Sequence, residues 1–194
     1  MPEITGLLLA AGRSRRFGAN KLLAEIDSRA LVMHAADSLS PCTRTMAVVR
    51  RDDLTLQAML SEASIELVFN DRADSGMGSS IACGVAASRH SAGWCVLPAD
   101  MPFVLTSTTR QVVKALQRNA SLAAPFYNSK RGHPVGFSRE YINELMALDS
   151  ERGARGIIEK YMHQLTMIRT NDPAILQDID TPDDLRNCNV ISGR

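Results

Sequence analysis

Charge of one sign is what this chain lacks most: 22 basic residues stand against 21 acidic ones, for a formal charge of +1. That balance gives no reason to expect nucleic acid or an anionic membrane as a partner. No apolar run approaches the roughly 18–20 residues that a membrane-spanning helix needs. The opening Met1-Pro2-Glu3 has neither the charged nor the apolar region of a signal peptide, so a cytoplasmic location is expected. Cys42, Cys83, Cys95 and Cys188 include no Cys-x-x-Cys pair, which argues against a zinc site or a dithiol redox motif and for reduced thiols, mostly in the core. His34, His90, His133 and His163 show no metal-ligand spacing either. Internal repeats, low-complexity tracts and Pro/Gly/Ser linkers are missing as well, and 194 residues suit a single domain, expected as a monomer.

What is present is an alternation of two periodicities. Short apolar runs at residues 4–10, 45–49, 65–69, 94–97 and 165–169 read as strands. Between and after them, residues 30–39, 52–61, 79–88, 140–148 and 155–161 read as helices, with Thr106 as the N-cap of one reaching residue 118 and a short helix starting near Thr181. Residues 122–124 and 134–137 read as strands joined through the polar turn Asn128-Ser129-Lys130. Repeated βα alternation predicts an α/β three-layer sandwich, a mostly parallel Rossmann-like sheet with helices on both faces. Its ligand crevice would lie beyond the carboxyl ends of the strands.

The first strand runs straight into Gly12, Arg13, Arg15, Arg16 and Lys21, a cluster of cations that needs an anionic partner. Exposed amides and clustered cations at a strand end are how α/β proteins hold phosphate. The spacing is neither that of a P-loop, because Lys21 is followed by Leu22 and Gly12 and Gly18 lie six apart, nor that of Gly-x-Gly-x-x-Gly. What remains is Leu9-Ala10-Ala11-Gly12-x-Ser14-x-Arg16-Phe17-Gly18-x-x-Lys21. It resembles the signature of nucleotidyltransferases that move a nucleoside monophosphate onto a phosphorylated acceptor. The Ala10-Ala11 pair is similar to the cytidylyl branch, where the guanylyl branch that serves molybdenum cofactor usually carries two glycines. Small residues let a nucleotide approach the backbone closely. In this reading Leu9, Ala10, Ala11, Gly12, Ser14 and Gly18 border the nucleotide, and Arg16 and Lys21 compensate triphosphate charge.

Two acidic positions follow. Asp100, in Pro98-Ala99-Asp100-Met101-Pro102, sits at the end of a buried strand between two prolines that stiffen the backbone. Near the C-terminus, Asp183 and Asp184 are explained by the helix start at Thr181-Pro182, which leaves Asp178 and Asp180 over. The resemblance implies that an acidic position just before Thr-Pro joins Asp100 in coordinating Mg²⁺. Asp100 and Asp180 are the expected ligands and Asp178 a third. Hard carboxylates suit a magnesium ion bound to substrate phosphates.

Asn70 and Gly76-Met77-Gly78-Ser79-Ser80 mark a helix start that can cap itself or donate N–H groups to a ligand. In the cytidylyl relatives a similar stretch, often with serine where Gly78 stands, borders base and ribose, so Asn70, Gly76, Ser79 and Ser80 are nucleotide-binding candidates. Arg131-Gly132-His133-Pro134-Val135 resembles a stretch of molybdenum cofactor cytidylyltransferases, which makes His133 an acceptor-pocket candidate, while Gly136 replaces a bulkier residue of that family. Arg155, in Gly153-Ala154-Arg155-Gly156, is the second acceptor candidate. The resemblance runs from Leu9 to Leu185 with its motifs in the family's order. It implies transfer of CMP from CTP to the phosphate of molybdopterin, with Mg²⁺ as cofactor and a molybdoenzyme as recipient of the product. A sugar-phosphate or methylerythritol-phosphate nucleotidyltransferase, and a pterin-holding maturation factor without catalysis, stay open as rivals.

Overall fold

The computed structural model describes residues 1–13, 17 and 20–191, with side chains up to Arg186. Its elements in chain order are β1 (Ile4–Leu9), β2 (Glu25–Ile26), β3 (Arg29–Ala30), α1 (Leu31–Ser38), β4 (Arg44–Val49), α2 (Leu54–Glu62), β5 (Glu66–Phe69), α3 (Met77–Ala87), β6 (Gly93–Pro98) and α4 (Thr106–Gln117). They continue with β7 (Leu122–Tyr127), β8 (Lys130–Arg131), β9 (Val135–Ser138), α5 (Ile142–Met146), α6 (Arg155–Lys160), β10 (Leu165–Arg169) and α7 (Pro182–Ile191).

The main sheet has the order β10-β7-β9-β6-β1-β4-β5, with β8 extending β7. Parallel ladders join β1 to β4, β1 to β6, β4 to β5 and β10 to β7, whereas β9 runs antiparallel between β6 and β7. The expected mostly parallel sheet is therefore the one observed. Because successive strand residues face opposite sides, Leu8 and Leu97 join one buried cluster with Leu31, Leu56, Val112 and Leu116 of α1, α2 and α4. Leu7 and Val96 join the other, with Ile81, Leu145 and Ile158 of α3, α5 and α6. Helices thus cover both faces of a sheet that is apolar on both.

Some local expectations are corrected. Thr106 is the first residue of α4 rather than its N-cap; Leu105 occupies that position without a side-chain cap. The cap comes from afar, as Asp172 Oδ2 accepts from the Leu105 amide and the Thr108 hydroxyl, both at 2.9 Å. The turn at Asn128-Ser129 joins β7 to β8, not to β9, and both residues have positive φ, the geometry that lets a two-residue hairpin follow the strand twist. A small hairpin of β2 and β3, turning at Asp27-Ser28, has no counterpart in the sequence reading. Of the thiols, Cys95 is buried but Cys42 and Cys83 are only half-buried.

Candidate functional site

The carboxyl ends of β1, β4, β5 and β6 open into a cleft of about 530 Å³ whose walls come from residues as distant as Leu9 and Asp180. On its β6 side, Asp100 stands two residues past the end of the strand at Pro98. The Ala99 amide donates to the Leu9 carbonyl at 3.1 Å and the Ile179 amide to the Asp100 carbonyl at 2.9 Å, so the segment carrying Asp178 and Asp180 is stitched to Asp100. At the start of α7, Thr181 and Asp184 cap one another: the Thr181 amide donates to Asp184 Oδ2 at 2.7 Å and the Asp184 amide to Thr181 Oγ1 at 3.2 Å. The same Asp184 oxygen accepts from the Asp180 amide at 3.0 Å, which aims Asp180. The Thr181 hydroxyl, which donates to that oxygen at 2.8 Å, and then the Thr181 and Asp180 amides hold the Asp184 carboxyl below its usual range.

Lys21 is placed by its neighbours. Asn20 caps the short helical turn of residues 21–23 and donates to Asp53, the N-cap of α2. From there the Lys21 ammonium reaches Asp100 at 2.8 Å and Asp180 at 2.9 Å, with its own side chain only 12% exposed. Burial opposes its charge, but the two carboxylates outweigh burial and raise its pKa. Asp178 completes the group, because one oxygen from each of Asp100, Asp178 and Asp180 lies within 4.8 Å of the others. Burial, then repulsion from Asp100 and Asp180, raises the Asp178 pKa. Three hard oxygen donors this close, already holding an ammonium, fit a magnesium-like cation.

On the β4–β5 side the charges are reversed. Arg13 grips Asp74 at 2.9 and 3.2 Å, and Arg50, just past β4, grips the same carboxylate at 3.1 and 3.1 Å. Hydrogen bonds from the two guanidiniums pull the Asp74 pKa down to about 2. All three residues line the cleft. Neither Arg50 nor Asp74 was singled out by sequence reading; a cation directly after a buried strand was the available signal.

Gly76, Met77 and Ser80 bring the N-terminus of α3 to the wall. Gly76 has φ +105°, open to glycine at little cost. A Cβ at Gly78 would lie 2.7 Å from the Ser150 carbonyl oxygen, and the Gly78 amide donates to that oxygen at 2.8 Å. Glycine at position 78 thus serves close packing of the loop at residues 149–153 against the helix. Asn70 and Ser79 are buried builders: Asn70 donates to Ser79 and Ser80 at 2.9 and 3.0 Å, and Ser79 donates to the Arg72 and Gly76 carbonyls.

Of the expected site residues, the structure brings Leu9, Gly12, Lys21, Gly76, Ser80, Asp100 and Asp180 together on the cleft wall. Ala11 lines it too, whereas Ala10 belongs to the buried core cluster on the face covered by α1, α2 and α4. Ser14, Arg16 and Gly18 lie outside the described residues. Arg155 is absent from the lining and pairs on the surface with Glu159 at 2.8 Å. His133 also stands apart from the lining, yet Asp100 acts on its charge. Gly136 faces α4, where a Cβ would lie 2.8 Å from Val112, so its small size serves helix packing rather than an acceptor pocket.

Residues 6–165 match the family model described as MobA-like NTP transferase domain. A nicotine blue oxidoreductase of Paenarthrobacter nicotinovorans is 27% identical over 93% of this chain and 94% of that protein. A molybdenum cofactor guanylyltransferase of Shewanella frigidimarina is 26% identical over 94% of this chain and 93% of its own length. Among solved structures, Rv0371c of Mycobacterium tuberculosis in complex with manganese superposes with a TM-score of 0.78, covering 95% of this chain and 97% of that one at 23% identity.

Proposed function

Since the chain belongs to the MobA-like NTP transferase family, we propose that it transfers CMP from CTP to the phosphate of molybdopterin, releasing pyrophosphate in a magnesium-dependent reaction. The observation that carries this reading is the Lys21 ammonium held between Asp100 and Asp180, with Asp178 beside them, in a cleft that also presents Arg13 and Arg50. One part of the cleft suits a divalent cation and the other an anionic chain, as a metal–triphosphate complex requires. The manganese in the Mycobacterium tuberculosis neighbour supports a divalent ion.

In this reading the acceptor phosphate oxygen attacks the α-phosphorus of CTP in line, and pyrophosphate leaves with the electron pair of the broken bond. A phosphate monoester has a second pKa near 6, so at neutral pH it is mostly dianionic and needs no strong base. Bound Mg²⁺ at Asp100 and Asp180, with Asp178 as a third donor, would supply charge compensation for the triphosphate. Lys21 and Arg16 neutralise phosphate oxygens, and the backbone of Leu9, Ala10, Ala11, Gly12, Ser14 and Gly18 admits the nucleotide closely. Gly76 and Ser80 face it from α3, while Asn70 and Ser79 hold that helix start in place. His133 and Arg155 serve the acceptor. Catalysis then rests on positioning and electrostatics, with no covalent enzyme intermediate.

The base assignment rests on the Ala10-Ala11 pair, of which Ala11 lines the cleft. The test is pyrophosphate release and product mass from molybdopterin and Mg²⁺ with CTP, GTP or ATP. We expect CTP to be preferred. A preference for GTP, the direction in which the Shewanella relative points, would overturn the base assignment. No pyrophosphate with any triphosphate would overturn the transfer itself.

A further inference from the structure

Between β8 and β9 the ladder against β7 breaks and resumes out of register, pairing Phe126 with Arg131 but Ala123 with Gly136. The intervening residues bulge toward the segment before Asp178. The His133 amide donates to the Ile175 carbonyl at 3.0 Å, and a Cβ at Gly132 would lie 2.3 Å from that same oxygen, so only glycine fits. The bulge buries two polar groups without satisfying them. Arg131 Nη1 and His133 Nδ1 are sealed from solvent and have no hydrogen-bond partner among the described residues.

An unpaired buried donor costs about 1–3 kcal/mol, and more when it is charged. No carboxylate forms an ion pair with Arg131 among the described residues; the nearby Arg155 repels it and Glu159 is occupied by Arg152 and Arg155. Burial, helped by Arg155, accordingly lowers the Arg131 pKa, although a guanidinium stays charged at any ordinary pH. Burial and the Arg131 charge push His133 down to about 4, so its imidazole is neutral at pH 7. A hydrogen bond to the Val96 backbone, then the Asp100 charge, oppose that shift, which places the imidazole within the electrostatic reach of both Arg131 and Asp100.

A half-buried cation with an idle N–H, next to a neutral imidazole with an idle nitrogen that feels the Asp100 charge, is built for an anion that arrives with the substrate. We infer that Arg131 receives the phosphate monoester of the acceptor, beside a neutral His133 imidazole that brings no competing charge; this deepens the reading above and rests on it. Arg131 offsets the repulsion that three carboxylates would exert on a dianion brought up to Asp100. The pyrophosphate product shares this chemistry, and the two sources are separable by experiment.

The probe is phenyl phosphate, a monoester that contains no pterin, titrated calorimetrically against pyrophosphate as a second ligand. We expect saturable monoester binding to the unmodified protein, weakened at least tenfold in R131Q and less in R131K, with pyrophosphate and Mg²⁺·CTP binding unchanged. A ring-nitrogen NMR signal of His133 should move on monoester addition to the unmodified protein, which tests the site even if R131Q folds poorly. Equal monoester affinity in R131Q, a loss confined to pyrophosphate, or an unmoved His133 signal at saturation would each overturn the assignment. None of these readouts requires turnover, so failure of CTP transfer would leave the result on Arg131 standing.

Discussion

Within one cleft, a carboxylate held between two guanidiniums on the β4–β5 side mirrors an ammonium held between two carboxylates on the β6 side. The first group has one positive charge in excess and the second one negative, which becomes two when Asp178 is counted. Solvent makes them unequal. Arg13 and Asp74 are half-exposed, so their pairing contributes little stability and gives way readily to a stronger anion. Lys21 is mostly enclosed, and there each unbalanced charge is felt more strongly. The comparison teaches that the β6 side is where geometry has to be held, and the β4–β5 side is where charge has only to be present.

The largest test of this contrast is Asp100→Ala, expected to lower kcat by about 100-fold to 1,000-fold while thermal unfolding stays cooperative. Turnover within a few-fold of the parent would break the contrast at its root. Next comes Lys21→Met, for which we expect roughly tenfold weaker triphosphate binding by calorimetry, about 1.4 kcal/mol. Arg50→Gln, on the exposed side, should raise the triphosphate KM only a few-fold with kcat unchanged, the signature of binding energy shared by ground and transition states. A kcat loss there as large as that of Asp100→Ala would erase the distinction. The smallest effect is a titration. The Asp74 carboxyl should show an NMR midpoint near 2, moving up toward 3.8 when Arg13 or Arg50 is replaced by Gln. Because this pKa is depressed on folding, whatever the pairing contributes is present above the unfolded value and fades as pH falls from about 3.8 toward 2.

Legibility from sequence followed the same divide. The βα alternation announced the parallel sheet, since a buried strand and an amphipathic helix each declare themselves within a dozen residues. Lys21, Asp100 and Asp180 stood out because each sits at an element boundary with stiffening or capping neighbours, and they meet in one cluster. Arg50 and Asp74 carried no such mark: they are 24 residues apart, and only the adjacency of β4 and β5 joins them. Asp172 was equally silent, because a cap delivered to α4 from more than 60 residues away leaves no local pattern at Thr106. Arg131 was visible as a letter in a motif, but its idle Nη1 follows from the bulge against Ile175, which depends on how separate segments pack.

The touch between Gly78 and Ser150 also constrains how this protein can change over generations. Any side chain at position 78 must push on backbone 72 residues downstream, on the loop that lends Glu151 to the cleft wall. A variant seeking new selectivity at the start of α3 therefore has to remodel that loop in the same stroke, so the two segments can change only together.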